Sequence, residues 1–237
     1  MAITGSGQVS LNDIQTEFGG SNPIGLAEYY DKGNAPASGE IQLATDFYGT
    51  SNDGHTLIST HTASSSASLD ITSGIDSTYD VYEFHFINIH PATSATILSF
   101  QVDTGTNTNY NQPITSTALD AENPEADSNG SLQYRTNRDQ VNGTNYQQLG
   151  EYIVSSNADQ SASGVMTLYA PASATYVKQW NSVINSYGNT YSQHSFHGGY
   201  INTATAITRI RFVMTANNMS ASGNIDAGII KMYGVIK

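Results

Sequence analysis

The chain has 237 residues and a formal net charge of −12, and only 12% of its residues are charged. Its eight Lys and Arg residues are not clustered, which argues against binding to nucleic acid or to an anionic membrane. The absence of cysteine excludes disulfides, thiolate metal sites and cysteine nucleophiles. A composition rich in Ser, Thr, Asn and Gly, with 15 Tyr and seven Phe, favours a folded chain of strands and turns.

The first residues, Met1 to Gly7, lack the basic region and apolar core of a secretory signal peptide. Nowhere does an apolar run approach the roughly 20 residues that a membrane-spanning helix needs. We therefore expect a soluble protein that is made in a cytoplasm and has no membrane partner.

Residues 1–52 carry a short degenerate repeat. Its three units are Val9–Ile14, Ile24–Tyr29 and Ile41–Phe47, the last with one extra residue. Each unit has an apolar residue, a Leu two positions later, then an acid followed directly by a bulky apolar residue. The Leu and the bulky residue are three or four positions apart, which places them on one face of a helix.

Short helices are the predicted structure of these units. Ser10 is suited to cap the first helix, with Asp13 near its positive end, and Gly19 supplies the left-handed residue that ends it. Because helices this short are marginal in water, their apolar faces must pack on one another, on the rest of the chain or on a partner. We predict a docking module in residues 1–52, and the alternative is a cap that covers the following domain. The predicted docking residues are Val9, Leu11, Ile14, Phe18, Ile24, Leu26, Tyr29, Ile41, Leu43 and Phe47.

From residue 53 onward the apolar pattern has the period of β-strands. Residues 207–214 give the clearest strand, because apolar side chains alternate there with two arginines. In residues 79–90 the alternation changes phase after Phe86, which indicates a β-bulge. We predict a mainly β fold, with an antiparallel β-sandwich or jelly roll of eight to ten strands over residues 53–237. Strands are expected at 67–72, 79–90, 96–102, 132–135, 164–169, 175–184, 191–200, 207–214 and 226–236.

Residues 104–145 are the least regular part of the chain, and we predict one or two long surface loops there, around the short strand at 132–135. Their acidic residues suggest either a calcium site or a solvated acidic loop. The loop is favoured because the sequence lacks the alternating acids and central glycine of an EF-hand. The acidic residues are Asp120, Glu122, Glu125 and Asp127.

Aromatic side chains suggest a saccharide platform, because their rings stack on sugars. Tyr110 and Tyr146, in predicted loops, are the candidate glycan contacts. Trp180 lies within a predicted strand and is expected in the core.

Motifs for catalysis or for metal binding are missing. His194 and His197 are three apart, so in a strand they point to opposite faces and cannot chelate one metal, and a His-rich strand surface is expected. The chain has no G-x-S-x-G, P-loop or H-E-x-x-H sequence. We predict no catalytic residue, no metal site, no cofactor and no enzyme activity.

Three stretches of the sequence resemble virion structural proteins of tailed phages, particularly phages of cyanobacteria. The stretch Ser6–Gly20 together with Ile24–Tyr30 is similar to a leader found on many such proteins. Residues Ser66–Asp80 and the ending Gly228–Ile236 also resemble predicted phage structural proteins.

This resemblance implies a place on a virion, in contact with other virion proteins of the neck, tail or capsid. We expect a neck- or tail-attached fibre or appendage, anchored by residues 1–52 and displaying the sandwich for adhesion to the host surface. The resemblance also implies a homo-oligomer, with a trimer favoured. Two alternatives remain open, a capsid decoration (cement) protein and a carbohydrate-binding receptor module for a host surface glycan.

Overall fold

The structure is a computed structural model that describes residue 3 and residues 6–23, 25–47, 54–126, 129–151, 157–187 and 190–235. The chain divides into two compact units, Met1–His55 and Thr56–Lys237. The sequence-based boundary lies at 52/53, in a part of the chain outside the described residues. Each unit has its own cluster of buried apolar side chains.

The N-terminal unit contains three short helices, each beginning at the Leu of one repeat. They are α1 (Leu11–Phe18), a 3₁₀ helix (Leu26–Tyr29) and α2 (Leu43–Phe47). Ser10 caps α1 as predicted: its side chain accepts from the Asp13 N–H, and the Asp13 carboxylate accepts from the Ser10 N–H at 2.8 Å. Gly19 ends α1 with a φ of 75°, which confirms the predicted left-handed residue.

The acid of every repeat forms the same hydrogen bond. Glu28 accepts from the Gly25 N–H at 3.1 Å, and Asp46 accepts from the Gln42 N–H at 2.7 Å, as Asp13 does from Ser10. The bulky residue after each acid is 1% exposed or less, and these residues are Ile14, Tyr29 and Phe47. Each repeat is therefore one capped turn that places one large side chain in the core of the unit.

The described residues form twelve strands. These are β1 (His55–Thr62), β2 (Leu69–Ile71), β3 (Val81–Pro91), β4 (Ile97–Thr104), β5 (Ile114–Pro124), β6 (Ser131–Tyr134), β7 (Gln147–Gln148), β8 (Ala162–Tyr169), β9 (Lys178–Tyr187), β10 (Tyr191–Ile201), β11 (Ile207–Thr215) and β12 (Ile225–Val235). The mainly β class and the antiparallel sandwich are confirmed. The prediction missed β1, β5 and β7.

The two sheets of the sandwich are wound as a jelly roll. The chain passes from β1 in the large sheet to β2 in the small sheet, then back to β3 and over to β4. The chain alternates between the sheets again through β7, β8, β11 and β12. As a result, four neighbouring strands of the large sheet, in the order β1-β12-β3-β8, face the small sheet, whose order is β2-β11-β4-β7. The large sheet continues beyond β8 through β9, β10, β5 and β6.

Alternating side chains from both sheets fill the core of the sandwich. On β3, Tyr82, Phe84 and Phe86 are buried, and the pairing of β3 with β8 shifts register between Phe86 and Ile89. This shift confirms the predicted bulge, and Asn88 within it has a φ of 50°. Trp180 is 2% exposed and packs edge-on against Phe100, as expected for a core residue.

Candidate functional site

Most of the predicted acidic loop is instead part of a strand, β5, which lies between β10 and the edge strand β6 of the large sheet. β5 pairs along its whole length with β10, and its inward positions are Ile114, Ser116, Ala118 and Asp120. Asp120 has no exposed surface. The interpretation as a solvated acidic loop was therefore wrong for Asp120 and Glu122. Two inward positions of β5 are polar, Ser116 and Asp120, so the sequence does not show the alternation of apolar and polar residues that is typical of a strand. Glu125 follows the strand, and Asp127 lies outside the described residues.

A buried ion pair joins β5 to β10. Nε2 of His197 lies 3.2 Å from Oδ1 of Asp120, and Nδ1 of His197 lies 3.0 Å from the backbone oxygen of Gln148. The two ring nitrogens of His197 thus face two different partners, the Asp120 carboxylate and the Gln148 backbone oxygen. Burial raises the pKa of Asp120, but the hydrogen bonds it accepts, that from His197 foremost, outweigh burial and hold this pKa below its ordinary value.

Arginines extend this ion pair into a network. Nε of Arg135 lies 3.2 Å from Asp120 and 3.1 Å from Glu151, and Arg135 also bonds Glu122. Arg138, 1% exposed, donates to Glu151 at 2.9 Å and to the side chain of Asn217. Three carboxylates thus face three cations when His197 is protonated. Each carboxylate of the network therefore has an arginine nitrogen within hydrogen-bond distance.

The two neighbouring histidines of β10 lie on opposite faces, as their spacing predicts. His197 is buried between the sheets, whereas His194 lies on the outer face with its ring 4.5 Å from that of Phe196. The expected His-rich strand surface is wrong for His197. In the part of the chain that the structure describes, no three His, Asp or Glu side chains are grouped to hold a metal ion.

The predicted docking residues form the core of the N-terminal unit. Ile14, Tyr29 and Phe47 are buried with Ile3 and Ala35, and five partly buried residues pack against them: Val9, Leu11, Phe18, Ile41 and Leu43. Ile24 lies outside the described residues. These side chains therefore contact one another within the unit. Among the predicted docking residues that the structure describes, Leu26 has the most exposed side chain, at 43%.

The two tyrosines predicted to contact glycan lie beside Arg211. Tyr110 is 3% exposed, and the Arg211 guanidinium lies 4.0 Å from its ring centroid, so this ring is closed to a sugar and the prediction is corrected. Tyr146 is half-buried and interacts electrostatically with the Arg211 guanidinium. The site predicted in these loops is therefore occupied by the protein's own arginine.

The outer face of the large sheet carries a continuous row of side chains that the sequence did not predict. Strand register places these residues side by side across seven strands: Tyr134, Leu119, Phe196, Val183, Val165, His85 and Lys231. Tyr134, Leu119, Phe196 and Val183 are each between 42% and 50% exposed. We call the row from Tyr134 to Val165 the apolar row.

Two adjoining clefts lie at one end of the large sheet and share Ser161. The first, of about 420 Å³, is lined by Asn123, Pro124, Glu125, Ser161, Ser163, Asn185, Ser186, Tyr187 and Ser192. The second, of about 470 Å³, is lined by Asn88, His90, Ala158, Asp159, Gln160, Ser161, Asp226 and Ala227. Asn88 and Ser163 join the two clefts, because the Asn88 N–H donates to the Ser163 hydroxyl at 2.9 Å. The described residues that line the two clefts include no Lys or Arg.

Comparison with known protein families, with curated proteins and with solved structures finds no match to this chain. Across the described ranges, no helix is long and apolar enough to cross a membrane.

Proposed function

We propose that the chain is a virion structural protein, a neck- or tail-attached appendage that is anchored by its N-terminal unit and displays the jelly roll. The observation that carries this proposal is the separate core of the N-terminal unit. Three repeats of one capped turn build that core, within the same residues that resemble the leader of tailed-phage structural proteins. A small unit with its own core is suited to attachment, because it keeps its shape whatever domain follows it.

The buried charges of the sandwich support a structural rather than a catalytic role. Asp120, Glu151 and His197 are each 5% exposed or less, and each bonds another ionisable side chain of the sandwich. Removal of one member of such a buried pair is strongly destabilising, which is the behaviour of a structural contact.

The attachment surface must use exposed residues of the N-terminal unit, because its buried ones form the core. Leu26 is the large apolar candidate among the described residues, since 43% of it is exposed. A virion protein that binds here would cover the Leu26 side chain. Burial of this apolar area would contribute favourable free energy to the attachment.

The test of attachment is incorporation into particles during infection. Full-length chain, a variant lacking residues 1–55, Leu26→Asp and Leu57→Asp are supplied in trans, and purified particles are analysed by mass spectrometry. Leu57 is a matched control because it is 50% exposed and lies on β1 of the sandwich. We expect the deletion to abolish incorporation and Leu26→Asp to reduce it, while Leu57→Asp is incorporated normally. Incorporation of the deletion variant at the full-length level would overturn the proposal.

Copy number distinguishes the appendage from the capsid decoration protein that the sequence also allows. An appendage is present in tens of copies per particle or fewer, whereas a decoration protein is present in hundreds. Quantitative mass spectrometry against a major capsid protein measures this number directly.

Saccharide binding in the two clefts is a second candidate function. The first cleft offers four serine hydroxyls, two asparagine amides and the ring of Tyr187, a set that hydrogen-bonds and stacks on a neutral polyhydroxylated ligand. Its volume of about 420 Å³ is within the usual range for small-ligand sites. This cleft replaces Tyr110 and Tyr146 as the candidate glycan site.

A glycan array on the full-length chain, followed by calorimetry with the best binder, tests this candidate. Asn185→Ala removes an amide that lines the cleft, and Asn181→Ala is the matched control on the same strand, outside the lining. We expect Asn185→Ala to weaken binding about tenfold, as the loss of one or two hydrogen bonds predicts, with Asn181→Ala unchanged. An array without binders, or equal binding by both variants, would rule the candidate out.

A further inference from the structure

The apolar row is exposed on the outer face of the large sheet, and no element among the described residues of the sandwich covers it. Leu119, Phe196 and Val183 are directly opposite one another on β5, β10 and β9, and Val165 continues the row on β8. Tyr134 closes it on β6, where its hydroxyl donates to Asp139 at the rim. Large apolar side chains aligned across five adjacent strands are typical of an interaction surface rather than of scattered surface residues.

Charged residues are absent from this part of the sheet. The outward-facing residues of β5, β6, β8, β9 and β10, all of them described, include no Asp, Glu, Lys or Arg. The whole chain contains 20 acidic and eight basic residues, so a neutral face of this size sets these strands apart from the rest of the surface. We call the outward-facing residues of these five strands the neutral face.

We propose that the neutral face is a self-association interface on which a second copy of this chain packs. This proposal does not depend on the virion role, since it follows from the surface of the sandwich alone. Two copies that each carry a net charge of −12 repel one another, and they approach at the lowest electrostatic cost where neither presents a carboxylate. A basic partner would instead favour the acidic remainder of the surface.

The neutral face is large enough for a stable contact. Strands lie about 4.8 Å apart, and residues on one face of a strand repeat every ~6.8 Å, so five strands and four rows of side chains cover on the order of 600 Å². Two such faces together cover on the order of 1,200 Å², which is the lower end of the range of about 1,200–2,000 Å² that specific protein interfaces bury in total. The aromatic side chain of Phe196 lies centrally among aliphatic neighbours, an arrangement that is common where a few residues dominate binding.

The apolar row matches the same row of a second copy. Leu119, Val183 and Val165 surround Phe196 with aliphatic side chains, and aliphatic surfaces gain dispersion contacts when they pack on one another. A second copy of the chain therefore supplies a surface that is both neutral and apolar.

Sedimentation equilibrium of the full-length chain tests this proposal with a matched pair of variants. Val183→Glu places a charge in the middle of the neutral face, whereas Val141→Glu makes the same change at a residue that is 86% exposed and outside the sheet. We expect the wild type and Val141→Glu to sediment as multimers at micromolar concentration. Val183→Glu should associate about 100-fold more weakly, because an unpaired charge would be buried in the contact.

Two results would overturn the proposal. One is a wild-type chain that is monomeric at these concentrations, which would leave the neutral face to another partner such as a polysaccharide. The other is a multimer that persists in Val183→Glu, which would place the interface elsewhere on the chain. Circular dichroism of each variant verifies that the sandwich is folded, and Phe196→Glu repeats the test at a second position of the row.

Discussion

Asp120 and His197 are 77 residues apart in the sequence, yet their side chains lie 3.2 Å apart between the two sheets. The contact connects β5 to β10, two of the four strands that extend the large sheet beyond the jelly roll. His197 also bonds the Gln148 backbone on β7 of the small sheet. One ion pair thus holds together three strands from both layers.

Asp120→Asn should destabilise the folded protein by about 3 kcal/mol near neutral pH. The substitution removes the buried carboxylate that faces both His197 and Arg135, which is the costly way to break a buried pair, while Arg135 keeps its contacts with Glu122 and Glu151. Urea unfolding followed by tryptophan fluorescence measures the change. Asp159→Asn, at an exposed acid, is the control and should change stability by less than about 0.5 kcal/mol.

The same substitution should reduce the dependence of stability on acid pH. The pKa of Asp120 is lower in the folded protein than its ordinary value near 3.9, so as pH falls the unfolded state takes up the proton first. Its stabilisation is fully present above the unfolded pKa and is lost as pH falls through the folded pKa. Between about pH 5 and pH 3, Asp120→Asn should therefore lose less unfolding free energy than the wild type. An equal loss in both proteins would contradict this assignment.

Arg211→Lys should cost about 1–2 kcal/mol. The Arg211 guanidinium bonds both carboxylate oxygens of Asp70, at 2.7 Å and 2.5 Å, and stacks on Tyr110, whereas a lysine offers a single point charge. Arg209→Lys is the matched control, since Nε of Arg209 makes one hydrogen bond, to the Gly105 oxygen. Equal unfolding midpoints for the two variants would count against the bidentate contact.

Phe47→Ala should unfold the N-terminal unit while the sandwich stays folded. Phe47 is fully buried and packs edge-on against Phe18 and Tyr29, with ring centroids 5.9 and 6.3 Å away, so its loss costs about 3–5 kcal/mol. Limited proteolysis of the full chain should then cleave residues 1–55 rapidly and spare residues 56–237. Leu26→Ala, at an exposed position, should leave the cleavage rate unchanged. Equal resistance of both variants would refute the role of Phe47.

Gly164→Ala should weaken the pairing of β8 with β9. A Cβ at residue 164 would overlap the Val183 carbonyl oxygen and lie 2.8 Å from the Ile184 Cα, so the strands must separate, at a cost of about 2 kcal/mol. Gly198→Ala, in the same sheet, has its nearest such contact at 3.4 Å and should shift stability by less than about 1 kcal/mol. The midpoints of thermal unfolding of the two variants measure this difference. A Gly164→Ala midpoint equal to that of the wild type would show that the strands tolerate the added atom.

Local patterns in the sequence were sufficient for several elements. The Ser10 cap, the Gly19 helix end and the bulge after Phe86 were predictable because each depends on residues within a few positions of one another. The three repeats were recognised for the same reason. Their role was not, because nothing in the sequence distinguishes apolar residues that contact one another from those that contact a partner.

The site features depend instead on pairings between distant residues. β5 was taken for a loop because Ser116 and Asp120 occupy inward positions, and only their partners Gln147 and His197 make that burial favourable. The apolar row was invisible for a related reason. Val183 and Phe196 become neighbours through strand order and register, which a single sequence does not fix.

The most direct test of the proposed virion role is an image of the intact particle. Cryo-electron microscopy of particles from an infection in which the chain is expressed should show the jelly roll attached at the neck or tail. Particles made with the variant lacking residues 1–55 should lack that density. A jelly roll spread over the capsid in hundreds of copies, or particles without the protein, would contradict attachment as a neck or tail appendage.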